Sequence, residues 1–245
     1  MSGASPAVPA AEAPISPVSA VVGTFSRPSE TFRRLVARPT WWLPFLTSLV
    51  LGTVAYAVAV PKIDLETTIR ESLEKSGRSL PAGAVAQRVA FMQKWSAAFT
   101  AGIAVAGAVV FFATALVLWA AARMMGADAR YAQLLAVWAH SSLPSVVGAL
   151  VAIPLFLRVP DGSLTQAAAQ KVLASNLGAF LDESTPRPFL SLASSLDVFS
   201  LAALFLLVLG YRRLPGLSKG AATATPIVLW LVYVIGKIAW RTAFG

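Results

Sequence analysis

Cysteine is absent from this 245-residue chain, and histidine occurs once, at His140. The first absence excludes disulfides, thiolate metal sites and cysteine nucleophiles. The second leaves no paired imidazoles for a metal, and the chain also lacks a Gly-x-Ser-x-Gly elbow, a P-loop and spaced carboxylates inside its apolar runs. Nucleophile, base and metal ligands therefore all lack candidates. No catalytic, cofactor-binding or metal residue is named, no cofactor is expected, and the chain reads as a non-enzyme.

Charge is scarce as well. Only 13% of residues are Asp, Glu, Lys or Arg, against roughly 25% in a soluble domain. The first twenty residues contain neither a basic n-region nor an apolar core. That excludes a cleaved secretory leader and leaves residues 1–20 as an Ala/Pro/Ser tail expected to be disordered.

What is abundant is apolar sequence, 57% of the chain. Trp95 to Ala122 holds 28 residues without a charge, and at about 1.5 Å per residue such a helix outspans a hydrocarbon layer of roughly 30 Å. Similar runs put spans at about 41–60, 96–122, 131–157, 191–211 and 220–240. The expected fold is all-α, a polytopic membrane bundle of five transmembrane helices over residues 41–243.

Ahead of the first span, residues 21–40 form a basic amphipathic segment. Phe32, Leu35 and Val36 fall on one side, opposite Arg33 and Arg34, which predicts a short helix lying at the membrane interface. Arg27, Arg33, Arg34 and Arg38 would then sit among headgroups, each worth about 1 kcal/mol on an anionic leaflet. With Arg212 and Arg213 they are the candidate membrane-surface or partner contacts. The basic residues flank apolar runs and form no solvated stripe, so the expected partner is the lipid bilayer and not nucleic acid.

Within the spans, Ala98, Gly102 and Ala106 make a smooth side of the second helix, expected to pack against a neighbouring span of the same chain, with a homo-oligomer seam as the alternative. The third span is expected to bend at Pro144. Its AHSSLP stretch, Ala139 to Pro144, carries His140 near mid-membrane, where one hydrogen bond across the bundle is the ordinary role and a proton or ligand contact the functional one. Asp197 falls near a helix N-terminus, where the dipole favours a carboxylate. With five spans the termini lie on opposite sides. Basic residues in the short connections favour a cytoplasmic N-terminus and an external C-terminus.

Taken together, the FSRPSETFRRLVARPTWW segment (Phe25 to Trp42), the AHSSLP of the third span, the LDVFSL opening the fourth and the GYRRLPGLSKGAA closing it (Gly210 to Ala222) resemble the bacterial branch of the Yip, or Ypt-interacting-protein, domain family. The resemblance covers roughly residues 20–243. It implies a bacterial cytoplasmic-membrane protein with a cytosolic N-terminus. Eukaryotic members bind prenylated Rab-type GTPases and partner membrane proteins in vesicle traffic. The Asp-Leu-Tyr-Gly-Pro motif of that branch and its long hydrophilic N-terminal domain are absent here, so GTPase binding does not carry over. The function this implies is a non-enzymatic, membrane-organising or partner-binding protein of adaptor type. A small-solute or proton-linked permease is the alternative, in which His140 and Asp197 would share one wet cavity.

Overall fold

A computed structural model describes residues 15–75, 77, 80, 81, 83–182 and 185–244. Among them there is no strand, only isolated bridges between Ile63 and Leu164 and between Asn176 and Asp197. The tail expected at 1–20 lies outside the described residues up to 14. Beyond that point the chain is helical: α1 runs Pro17–Ser26, started by Ser16, whose side chain accepts from the Ser19 amide. After Arg27 the chain folds back into α2, Pro28–Ala37. The two helices meet so closely that a Cβ on Gly23 would lie 2.5 Å from Thr31 Oγ1.

The remaining elements alternate between two ends of a bundle. Helix α3, Trp42–Ala59, ends in a 3-10 turn, Val60–Lys62, and is followed by α4, Leu65–Lys75, and α5, Ala84–Lys94. Next comes α6, Ser96–Met124, the longest element at 29 residues. After a turn, α7 (Tyr131–Ser141) and α8 (Leu143–Leu157) form one bent rod. The bend has a local cause: Pro144 has no N–H for the carbonyl of His140, and the carbonyl before it, Ala139 O, accepts from Ser142 Oγ at 2.9 Å. An excursion through α9, Gln166–Lys171, a 3-10 turn at Leu177–Phe180 and α10, Arg187–Ala193, leads into α11, Val198–Tyr211, and α12, Lys219–Phe244.

Four elements are long and apolar enough to cross a membrane: Trp42–Lys62, Ser96–Met124, Tyr131–Leu157 and Lys219–Trp240. The span expected at 191–211 is divided in two, with α10 ending at Ala193 and α11 starting at Val198. Asp197 accepts hydrogen bonds from the Phe199 and Ser200 amides at 3.0 and 2.9 Å and starts a new helix there, leaving α11 with 14 residues. That is about 21 Å of rise, short of a hydrocarbon layer of roughly 30 Å.

The helix expected ahead of the first span is present as α2, and its apolar face is covered by protein. Phe32 and Leu35 are 0% exposed, because the apolar face of α2 packs on α7 and α11 instead of lying open to lipid. The smooth side of α6 also differs from expectation: Ala98, Gly102 and Ala106 are exposed, and a Cβ on Gly102 would meet nothing within 4 Å.

The core lies at one end. Phe32, Leu35, Leu118, Ala122, Leu134, Val137, Leu207 and Tyr211 form a single buried cluster from α2, α6, α7 and α11. Polar ties lock it. Gln133 Nε2 donates to Val36 O at 2.7 Å, Tyr211 Oη to Leu118 O at 2.7 Å, and the Asp128 amide to Pro215 O at 2.9 Å.

Candidate functional site

The end that holds this core also gathers positive charge. On α2, burial of Thr31, Phe32, Leu35 and Val36 turns Arg33 outward, and Arg38 is exposed where the helix stops. Arg34 is half-buried and pairs with Glu30 at 3.1 Å. Arg27 is exposed in the joint between α1 and α2. Across the same end, burial of Tyr211 and Leu214 leaves Arg212 and Arg213 between them in solvent. Six candidates from distant parts of the sequence thus share one end of the bundle.

Three more residues, not singled out in the sequence, join them. Arg123 closes α6 and pairs with Asp128 at 3.1 Å, Arg130 precedes α7, and Lys219 opens α12, all three exposed. They reach this end because the turn at 125–130 and the loop at 212–218 lie against each other. Gly216, at φ +79°, sits there with its Cβ position 2.7 Å from Gly126 O, a place only glycine fills. Each of the three marks the end of an apolar run, the available signal in the sequence. Among the described side chains this end carries nine basic groups against two carboxylates, Glu30 and Asp128, and the opposite end seven against seven.

His140 and Asp197 lie apart. His140 is 1% exposed, and its Nδ1–H donates to Ala136 O of its own helix at 2.9 Å, not across the bundle. Its Nε2, Ser141 Oγ and Trp138 Nε1 are sealed from solvent without a partner among the described residues. Asp197 serves as the α11 cap and receives the Ser175 hydroxyl. Gly210 abuts Val137 and Phe199 abuts Gly148, so α11 runs antiparallel to the bent rod and the level of His140 falls about ten residues, roughly 15 Å, from Asp197. Among the described residues no three His, Cys, Asp or Glu side chains gather into a metal site.

The family model of the Yip1 domain matches residues 22–240. The chain belongs to the Yip1 domain family. Among curated relatives of this Yip1 protein, it is 24% identical over 214 residues to the membrane protein YknW of Bacillus subtilis (strain 168), covering 87% of this chain and 86% of the relative. No solved structure matches it. Family and hydropathy together make it a membrane protein of several apolar helices.

Proposed function

We propose that this Yip1 protein is a non-enzymatic, membrane-organising or partner-binding protein that works through the basic end of its bundle, facing the cytoplasm. The observation that carries this reading is the excess of nine basic over two acidic side chains at an end whose helices are keyed into the core. A fixed array of guanidinium groups attracts phosphate headgroups of an anionic leaflet and acidic segments of neighbouring membrane proteins. Basic short connections on one side also follow the rule that retains such loops in the cytoplasm. In this reading α11 is a fifth, short pass, and the C-terminus lies outside the cell.

The chain's lack of cysteine makes it a ready background for testing orientation and contacts together. A single cysteine at Arg213 is expected to resist a membrane-impermeant maleimide added to intact cells, while one at Arg88 reacts. Photocrosslinkers at Arg33 and Arg213 should capture anionic lipid or a reproducible acidic partner, and the triple variant R33E/R212E/R213E should lose both. Equal captures from Arg33 and Arg88 would overturn the reading. The permease alternative would have His140 and Asp197 share one wet cavity, and their separation of roughly 15 Å along the bundle favours the first reading.

A further inference from the structure

Helices α3 and α6 hold together at one end and part at the other. Near the basic end an aromatic wedge joins them: Phe45 stacks on Phe111 at 4.9 Å and on Phe112 at 5.0 Å, and Trp41 meets Phe112 at 5.6 Å. Beyond the wedge the helices diverge. A Cβ on Gly52 would meet nothing within 4 Å, and one on Gly107 only Leu49 Cδ1 at 3.9 Å. The result is a crevice of about 350 Å³ walled by Phe45, Leu49, Gly52, Ile103, Gly107 and Phe111.

The crevice does not stop at the end of the spans. Tyr56 and Ile103 also line a second cavity of about 910 Å³, so the two adjoin at these side chains and are taken together as one groove. The outer part is walled by Leu65 of α4 and by Val89 and Met92 of α5, and its polar rim is Asp64, Glu66 and Asp161. Each cavity falls within the range of roughly 300–1,000 Å³ in which proteins enclose small molecules.

We propose that this groove holds one zwitterionic, amine-bearing phospholipid of the distal leaflet, its acyl chain along the crevice and its ammonium at the carboxylate rim. Length argues for the chain. From Phe45 to Tyr56 is 11 residues, about 16 Å of helix rise, and one leaflet is half of a hydrocarbon core of roughly 30 Å. The slot also carries Ser48, Thr53 and Tyr56, but Thr53 Oγ1 already donates to Leu49 O of its own helix at 2.7 Å, so few polar groups remain to hold water among mostly apolar walls, and lipid is the molecule at hand to restore their lost dispersion contacts.

Charge argues for the headgroup. Asp161 is matched by Lys62 at 2.6 Å and Glu66 by Arg70 at 2.6 Å. Asp64 is bonded to the uncharged Thr67 amide and hydroxyl at 3.0 and 2.6 Å, so these five side chains together carry one net negative charge. A single ammonium complements that charge, whereas an anionic glycerol headgroup is repelled. The covering wall from α4 and α5, which lie outside the spans, separates this site from the lipid that wets any exposed helix.

The test uses the full-length protein, reconstituted into vesicles of equal phosphatidylethanolamine and phosphatidylglycerol, re-extracted in mild detergent and weighed by native mass spectrometry. The expected result is one retained phosphatidylethanolamine per chain, preferred about fivefold over phosphatidylglycerol, the scale of a single solvent-accessible charge contact. The variant G52L/G107L fills the crevice where the structure leaves space, and should lose that lipid without a lower melting temperature. D64N keeps a capping side chain and should retain a lipid while losing the headgroup preference, which keeps the proposal testable should the leucine variant misfold. Loss of both lipids at the same rate from the wild type would overturn the proposal, as would undiminished retention by a folded G52L/G107L or an undiminished preference in D64N.

Discussion

At the basic end of the bundle, helices from four parts of the chain meet around Phe32, Val137 and Tyr211, and their carbonyls and amides are tied by Gln133, Tyr211 and Asp128. The distal end is organised otherwise. There α3 and α6 separate, Phe99 and Ile103 remain nearly half exposed, and the connections are held by surface contacts such as Lys62 with Asp161 and the Asp64 amide with Leu164 O at 2.8 Å. In lipid no hydrophobic force draws spans together, so association rests on close packing and hydrogen bonds. A chain that concentrates both at one end is rigid where it presents its charge and open where it meets lipid.

The sharpest way to break this contrast is to empty the core at the basic end. F32A removes a ring that is 0% exposed, and should destabilise the protein by about 3–5 kcal/mol. F99A, at a ring 45% exposed on α6, should cost no more than about 0.5 kcal/mol, as surface substitutions do. Unfolding in detergent followed by tryptophan fluorescence reads both, and similar losses would mean that the distal half packs as tightly as the basic one.

Glycine gives the next test. A Cβ at Gly210 would lie 2.3 Å from Val137 Cγ1 and 3.3 Å from Phe32 Cδ1. Val137 is β-branched and buried, so it cannot swing aside, and G210A should cost about 1–3 kcal/mol. G102A meets open space and should be neutral or stabilise its helix by up to about 1 kcal/mol. The same unfolding measurement separates them, and a destabilised G102A would reveal a neighbour on the smooth side of α6.

These two residues also show what the sequence could convey. Four spans were legible because a run of uncharged residues is a local property, readable without knowing what lies beside it. The amphipathic face of α2 was equally legible in Phe32, Leu35 and Val36, but a face that suits lipid also suits a protein groove, and only the fold shows α7 and α11 against it. The break before α11 was harder. Leu190 to Tyr211 is nearly continuous in hydropathy, and the short helix follows from the cap made by Asp197 and its long-range bond from Ser175. For the site, Arg27 to Arg38 and Arg212 to Arg213 stood out as local clusters. Arg123, Arg130 and Lys219 did not, because their membership depends on two loops meeting at Gly216. The groove between α3 and α6 leaves no local trace, being a space between elements.

A smaller effect sharpens the contrast through one hydroxyl. Y211F keeps the buried ring and deletes the bond to Leu118 O that ties α11 to α6 at 2.7 Å. The loss should be about 1 kcal/mol, the net worth of one such bond. It should appear as faster amide exchange near the basic ends of α6 and α11, with exchange in α4 and α5 unchanged. Acceleration spread evenly over the bundle would mean that the two ends open as one unit.

The smallest effect belongs to the distal end alone. The Thr67 hydroxyl, with the Thr67 amide, holds the Asp64 carboxyl below the usual carboxylate range. A lowered value means the folded chain favours the ionised form, so the contribution is fully present above the unfolded value near about 3.9 and fades as pH falls through the folded one. The group is solvated, so the effect stays local to α4, whose first turn it caps. Hydrogen exchange in α4 should therefore quicken between neutral pH and pH about 3, after correction for intrinsic rates, while D64N, with an uncharged cap, should show the same protection at both. The caps of α1 and α9, the hydroxyls of Ser16 and Thr165, have no charge to lose over that range. If D64N responded to acid as the wild type does, the loosening would have to arise from other carboxylates of the distal end, and its stability would depend on the paired surface charges and not on this cap.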